Sequence, residues 1–260
     1  MAEKIKAPLI EAIFEIRWGR KDQNSFEYSN NEQSLFPGQI SAHASNEGFT
    51  EVESFNFGPA PSGALIPQRI THRFRVGPNA WPCIQLGLGI FTVNQVEQGY
   101  SWSGFKNSIA KGLRVFKNSK PENFLKPSKS VTLVLRYNDA FFPSEEGLNN
   151  KEYVEKHFNI DASLSDRFIS DPRIIDDVTD ISFRVSMKTS NPEGTISVSI
   201  FSAVIGGTPG LIMETIVESD ARLFSLDNFS LDRVVGWCHE AHYFQKHAFE
   251  TLIKPSAYKL

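Results

Sequence analysis

Along residues 8–18 the chain alternates with period two: Ile10, Ala12, Phe14 and Ile16 interleave with Glu11, Ile13, Glu15 and Arg17. That period and the β-branched and aromatic content predict a half-buried strand, with Pro8 at its start, where a missing amide donor does least harm. Residues 19–66 are dense in Asn, Ser, Gly and Pro; they predict a long turn-rich insertion with one helix near 32–47 and a partial strand near 49–57. ITHRFRV (70–76) alternates again, GPNAWP (77–82) is a turn, and 83–96 reads as a second strand, with Gly87 and Gly89 marking a bulge or a close approach.

The period then changes. In 101–117, Trp102, Phe105, Ile109, Leu113 and Phe116 fall on one stripe of a helical wheel, while Lys106, Lys111, Arg114 and Lys117 lie outside it. Ser101 or Ser103 can cap this helix. A strand follows at 130–142 and a short helix at 152–158. An antiparallel meander comes next, at 180–187, 195–204 and 211–220, turning at NPEG (191–194) and GGTPG (206–210). A long helix from Ser230, its N-cap, runs to about Ile253. Its predicted buried stripe is Leu231, Val234, Val235, Cys238, Ala241, Phe249 and Leu252, with His242 and Gln245 inside it and His239 at its edge.

Strands followed by one amphipathic helix thus occur twice. The predicted fold class is α+β, with antiparallel sheets in two similar halves, each packed by its own helix. The halves are 1–143 and 180–260, joined by a polar segment, 144–179. A length of 260 residues accommodates either one large domain or two small ones.

Composition narrows the class. With 40% hydrophobic and 22% charged residues the chain lies far from the disordered regime, and 21 Phe against 3 Met favours a rigid, well-specified core. Cys83 and Cys238 are too few and too far apart for a disulfide framework, so both are expected unpaired in a reducing compartment. The N-terminal run carries charges and no cleavage site, and no other run approaches the ~18 apolar residues of a spanning helix. These features predict a cytoplasmic protein without a membrane partner.

A net charge of −3 hides an uneven map. Between 106 and 136, eight basic residues stand against Glu122 alone; between 139 and 180, eleven acidic residues stand against four basic ones. Lys106, Lys111, Arg114, Lys117 and Lys120 therefore form a candidate partner-binding surface, for a protein or for nucleic acid, beside the plainer reading of a solvated helix face. Opposite patches on one chain also suit self-association, or mutual neutralisation within the fold.

His239, Glu240, His242, His247 and Glu250 crowd one stretch of the last helix. HEAH is not a zinc-protease HExxH, because its two His are three apart and Glu240 points away. His239, His242 and Gln245 form a candidate pocket. A His beside a Gln on a buried stripe reads either as a satisfied polar pair bonded to facing backbone, or as a proton-transfer group facing a ligand. Asp176, Asp177 and Asp180 read as a turn or cap before a strand, with a Mg²⁺ site as the sharper alternative. LGLG (86–89) opens no helix and is no dinucleotide fingerprint, and the chain has no GxSxG, P-loop or CxxC. No metal, cofactor or catalytic residue is expected.

PLIEAIFEIRW, then IQLGLGIFTVN with GYSWSGFKNSI, then AHYFQKHAFETLI in the last helix resemble, in order and spacing, a sporadically distributed prokaryotic family of uncharacterised proteins of about 250 residues. These blocks are packing patterns. The resemblance brings no catalytic residues, and the family's patchy distribution implies a place in a mobile, defence-related system. The expected function is a non-enzymatic binding subunit of a prokaryotic multi-protein assembly; the alternative is an enzyme or small-ligand sensor with a pocket near His242.

Overall fold

The computed structural model describes residues 8–22, 25–55, 67–119, 130–161, 164–175, 178, 180–226 and 229–258. Ten strands join in one antiparallel sheet: β1 (Leu9–Trp18), β2 (Glu51–Ser54), β3 (Ile70–Arg75), β4 (Cys83–Gly87), β5 (Ile90–Val96), β6 (Ser130–Phe141), β7 (Ser182–Ser190), β8 (Glu193–Ile205), β9 (Thr208–Ser219) and β10 (Phe224–Ser225). Their order is β2-β3-β4-β5-β1-β6-β9-β8-β7, with β10 paired to β6. The helices are α1 (Asn30–Ser34), α2 (Phe36–Asn46), α3 (Trp102–Ser119), α4 (Asn150–His157), α5 (Asp166–Ile169) and α6 (Leu231–Leu252).

The α+β class agrees with expectation, but the strands form one sheet and not one per half. The join is β1 against β6, with Ala12 opposite Tyr137, Phe14 opposite Leu135 and Trp18 opposite Val131. Both strands are long and present large apolar side chains to the same side, so pairing them satisfies two edges and merges two apolar faces. From this centre, β5 lies beside β1 and closes the meander β3-β4-β5, while β9 lies beside β6 and closes β7-β8-β9.

Two strand expectations need correcting. Residues 83–96 are a hairpin, because Leu88 and Gly89 turn the chain between β4 and β5, with Gly89 at φ 79°. Only glycine enters that region without a steric cost. Gly87 does mark a close approach: a Cβ there would lie 2.0 Å from the Arg69 carbonyl oxygen. In GGTPG the turn is Gly206–Gly207, both left-handed, and β9 already begins at Thr208.

One face of the sheet carries the main core. Ala12, Phe14 and Ile16 of β1, Phe91 and Val93 of β5 and Leu133 and Leu135 of β6 bury there, against Phe105, Ile109, Leu113 and Phe116 of α3 and Val234, Cys238 and Ala241 of α6. The predicted α3 stripe is buried except for its half-buried end, Trp102, and Ser101 caps it through the Gly104 amide at 3.1 Å. On α6 the fully buried set is Val234, Trp237, Cys238, Ala241, Gln245 and Ala248, while Leu231, Val235, Phe249 and Leu252 are half-buried. The stripe is rotated from the prediction because α6 packs against α3 as well as against β6 and β9. A second core sits at the C-terminal end of α6, where Phe141, Tyr153, Phe158, Val198, Ile200 and Ile253 meet.

The opposite face of the sheet is polar, and its charges on β1, β2, β3, β6 and β9 include several internal ion pairs. Glu15, 4% exposed, lies between Arg17 (2.7 Å) and Arg136 (3.3 Å), and Arg136 also donates to Glu214 at 2.6 Å. Glu53 holds Arg73 and Arg75, and Asn94 donates to Glu11.

Candidate functional site

Of the predicted pocket residues, His242 is the most constrained. Its Nδ1 lies 3.0 Å from the Tyr137 hydroxyl, which lies 2.9 Å from the Tyr100 hydroxyl. The Trp102 ring stacks on His242 with centroids 4.0 Å apart and planes within 11°. Burial pushes the imidazole pKa down to about 4, helped by His239 and Lys246, so it is neutral at pH 7. Gln245 is buried but not bonded to His242, and His239 is exposed, loosely stacked on Trp102 at 6.4 Å. The sequence reading of a His–Gln pair bonded to backbone is therefore replaced by a Tyr–Tyr–His chain capped by an indole. Trp102 covers one face of the imidazole, which stays half-buried.

Asp139 lies two residues along β6 from Tyr137, on the same face. It is 3% exposed, its Oδ2 meets no hydrogen-bond donor among the described residues, and burial raises its pKa to about 7. No sequence pattern marked it; it was counted only as one charge in an acidic run. Among the described residues no three His, Cys, Asp or Glu side chains gather as metal ligands. Asp176 and Asp177 lie outside the described residues. Both thiols are buried and unpaired, with pKa values raised by burial, Cys83 to about 12.

The basic face of α3 is only partly free. Arg114 makes a double ion pair with Glu47 at the end of α2, Nε and Nη2 each 2.7 Å from a carboxylate oxygen. That pair holds the Glu47 pKa below the usual carboxylate range, with Lys111 contributing. Lys106 and Lys117 are exposed, Lys111 is half-buried, and Lys120 lies outside the described residues. Among the described residues no ion pair joins the basic run to the acidic run. Arg114 uses Glu47, Arg136 uses Glu15 and Glu214, and within the acidic run Lys156 uses Glu146 and Arg173 uses Asp171.

The third site is one the sequence reading passed over as a polar connection. Asn149 caps α4 in a capping box with Glu152, and Asn150 donates to Ser202 Oγ on β8 at 2.9 Å. The same oxygen accepts from the Ile181 amide at 3.0 Å, fixing the entry to β7. The far end of α4 is tied to the end of α6 by Asn159 N to Leu252 O and Lys254 N to His157 O, both 2.8 Å. Between these anchors, α4, the α5 loop and the first residues of β7 enclose an apolar cavity of about 390 Å³. Phe183 and Ile200 form part of its floor, Val154 and Ile160 part of one wall, and Lys151, Glu155 and Asp180 join the lining. Its outer wall is exposed: Leu164 by 60%, Phe168 by 59% and Ile175 by 87%. Exposed Val185 and Met187 continue the apolar surface along β7, the last strand of the sheet. The sequence signal was present as isolated Ile, Leu and Phe among the acidic residues of 160–181, but they follow neither period.

Comparison with models of known protein families, with curated proteins and with solved structures gives no match. Among the described residues no helix is long and apolar enough to cross a membrane.

Proposed function

We propose that this chain is a non-enzymatic binding subunit that engages a protein partner through the apolar groove and the β7 edge. The observation that carries this reading is the coincidence of three features in one place. They are a formed apolar cavity, large apolar side chains left in water around its mouth, and a sheet edge that ends beside it. Exposed apolar clusters of this kind cost solubility and recur at protein-binding surfaces. The stacking of Trp102 on His242 and its bond to Tyr137 occupy the imidazole within the fold, which favours binding over catalysis. The resemblance noted from sequence suggests a prokaryotic multi-protein, defence-related assembly as the setting. The matching strand order read outward from β1 and from β6 supports the idea of two similar halves, with one half specialised for docking.

The test is a pull-down from native lysate with two variants. Val185→Arg with Met187→Arg alters only exposed side chains of β7, and Lys106→Glu with Lys117→Glu alters only exposed side chains of α3. The groove variant should lose the partner that the unaltered chain recovers, and the α3 variant should keep it. Loss with the α3 variant alone would move the function to the basic face.

A further inference from the structure

We infer that the occupant of the β7 edge is an extended partner segment that adds as a strand, with apolar side chains on one face and acidic side chains on the other. This deepens the binding reading above and rests on it. Among the described residues strand β7 pairs only with β8, so its outer row of backbone groups lies at the end of the sheet. Such an edge is a template for one more strand.

The side chains of β7 specify what that strand carries. Phe183, Val185 and Met187 point to the face that holds the cavity, opposite Ile200, Val198 and Ile196 of β8. Val185 and Met187 are 37% and 53% exposed, because α6 packs over β6 and β9 and leaves this margin uncovered. A neighbouring strand with apolar residues at alternate positions covers them and places one bulky side chain next to Phe183 at the cavity.

On the other face stand Arg184, Ser186 and Lys188. Their cross-strand partners are Ser199, Ser197 and Thr195, none of them acidic. Arg184 has no ion pair among the described residues. Lys188 acts at a distance on Asp220, whose carboxylate Arg222 already holds at 2.8 Å. Among the described residues neither of these cations, two positions either side of Ser186, has an ion pair, so a partner strand can supply one. They also discriminate against a second copy of the chain. In the antiparallel register that pairs the whole strand with itself, Arg184 faces Lys188 twice, and directly opposed like charges destabilise a ladder. An acidic strand meets attraction at the same positions.

The probes are three capped ten-residue peptides of alternating Val–Glu, Val–Lys and Ser–Glu. Affinity is measured by fluorescence anisotropy, and the site is located by hydrogen exchange of the full chain. The Val–Glu peptide should slow exchange across 182–190 and bind about tenfold tighter than Val–Lys, from two reversed cross-strand charge pairs. Ser–Glu should bind more weakly than Val–Glu. Arg184→Glu with Lys188→Glu should invert the Val–Glu and Val–Lys order while still protecting 182–190.

Equal binding of Val–Glu and Val–Lys, or an order unchanged by charge reversal, would overturn the acidic strand yet leave the groove reading standing. Absence of protection at 182–190 with every peptide would overturn strand addition itself, and the pull-down with the Val185 and Met187 variant then judges the groove alone. Concentration-dependent protection of 182–190 without peptide, with a dimer in sedimentation, would overturn the inference in favour of self-pairing.

Discussion

Asp139 is buried and His242 half-buried; their pKa values move in opposite directions, and both shifts come chiefly from burial. Asp139 is raised to about 7 against about 4 in an unfolded chain. Between those values the folded state keeps a proton the unfolded state has lost, so its contribution falls as pH rises through that window and is gone above it. His242 is lowered to about 4 against about 6.5 unfolded. There the unfolded state takes up the proton, so stability rises with pH across about 4 to 6.5. In the intact protein the two slopes oppose each other. Asp139→Asn should leave a rising profile between pH 4 and 6.5 and add up to about 4 kcal/mol at pH 8. His242→Gln should leave a falling one. Chemical denaturation across pH 4–8 measures both; parallel profiles for the two variants would show that these groups do not titrate as their surroundings dictate. Packing at the residue scale is simpler. Phe116 is fully buried, and its ring meets those of Trp18, Phe36, Phe91 and Phe229 at 5.2–5.9 Å between centroids. Phe116→Ala should cost about 3–5 kcal/mol in denaturant unfolding.

At the scale of elements, α3 lies close on β5 because Gly112 faces it. A Cβ at that position would sit 2.4 Å from Val93 Cγ2, a short branched side chain with nowhere to swing. Ala is the better helix former, yet Gly112→Ala should destabilise by about 1–3 kcal/mol, because helix and strand must separate. A gain in the unfolding midpoint would show that the contact is loose. This scale was the most legible in sequence. α3, α6 and the meander announced themselves through clean 3.6 and 2.0 periods, capped by Ser101 and Ser230. The β4–β5 hairpin was missed because both strands of CIQLGLGIFTVNQV are apolar, and only the backbone of Gly89 reveals the turn. The rotation of the α6 stripe was missed because a helical wheel contains no second helix; α3 claims the side of α6 that carries His242.

At the scale of the whole molecule, the sequence pattern offered two halves but not their union. The pairing of β1 with β6 joins residues more than a hundred positions apart, and periodicity carries no register between distant strands. The docking groove was illegible for a related reason. Its apolar residues come from α4, from the α5 loop and from β7 and β8, and they look like scattered exceptions in an acidic segment until the chain is folded. The basic block of α3 was legible as charge, but the clamp of Glu47 on Arg114 was not, and it removes one of the five cations expected to meet a partner. Among the described residues the sheet has β7 and the short β2 at its ends, and the apolar cavity lies beside β7. The place where a bound partner touches the chain is therefore decisive. Hydrogen exchange of the chain purified with its partner, compared with the chain stripped of it, reads this directly. Protection concentrated at 182–190 and 160–175, with 102–119 unchanged, is the predicted result; protection along 102–119 with 182–190 unchanged would contradict the account.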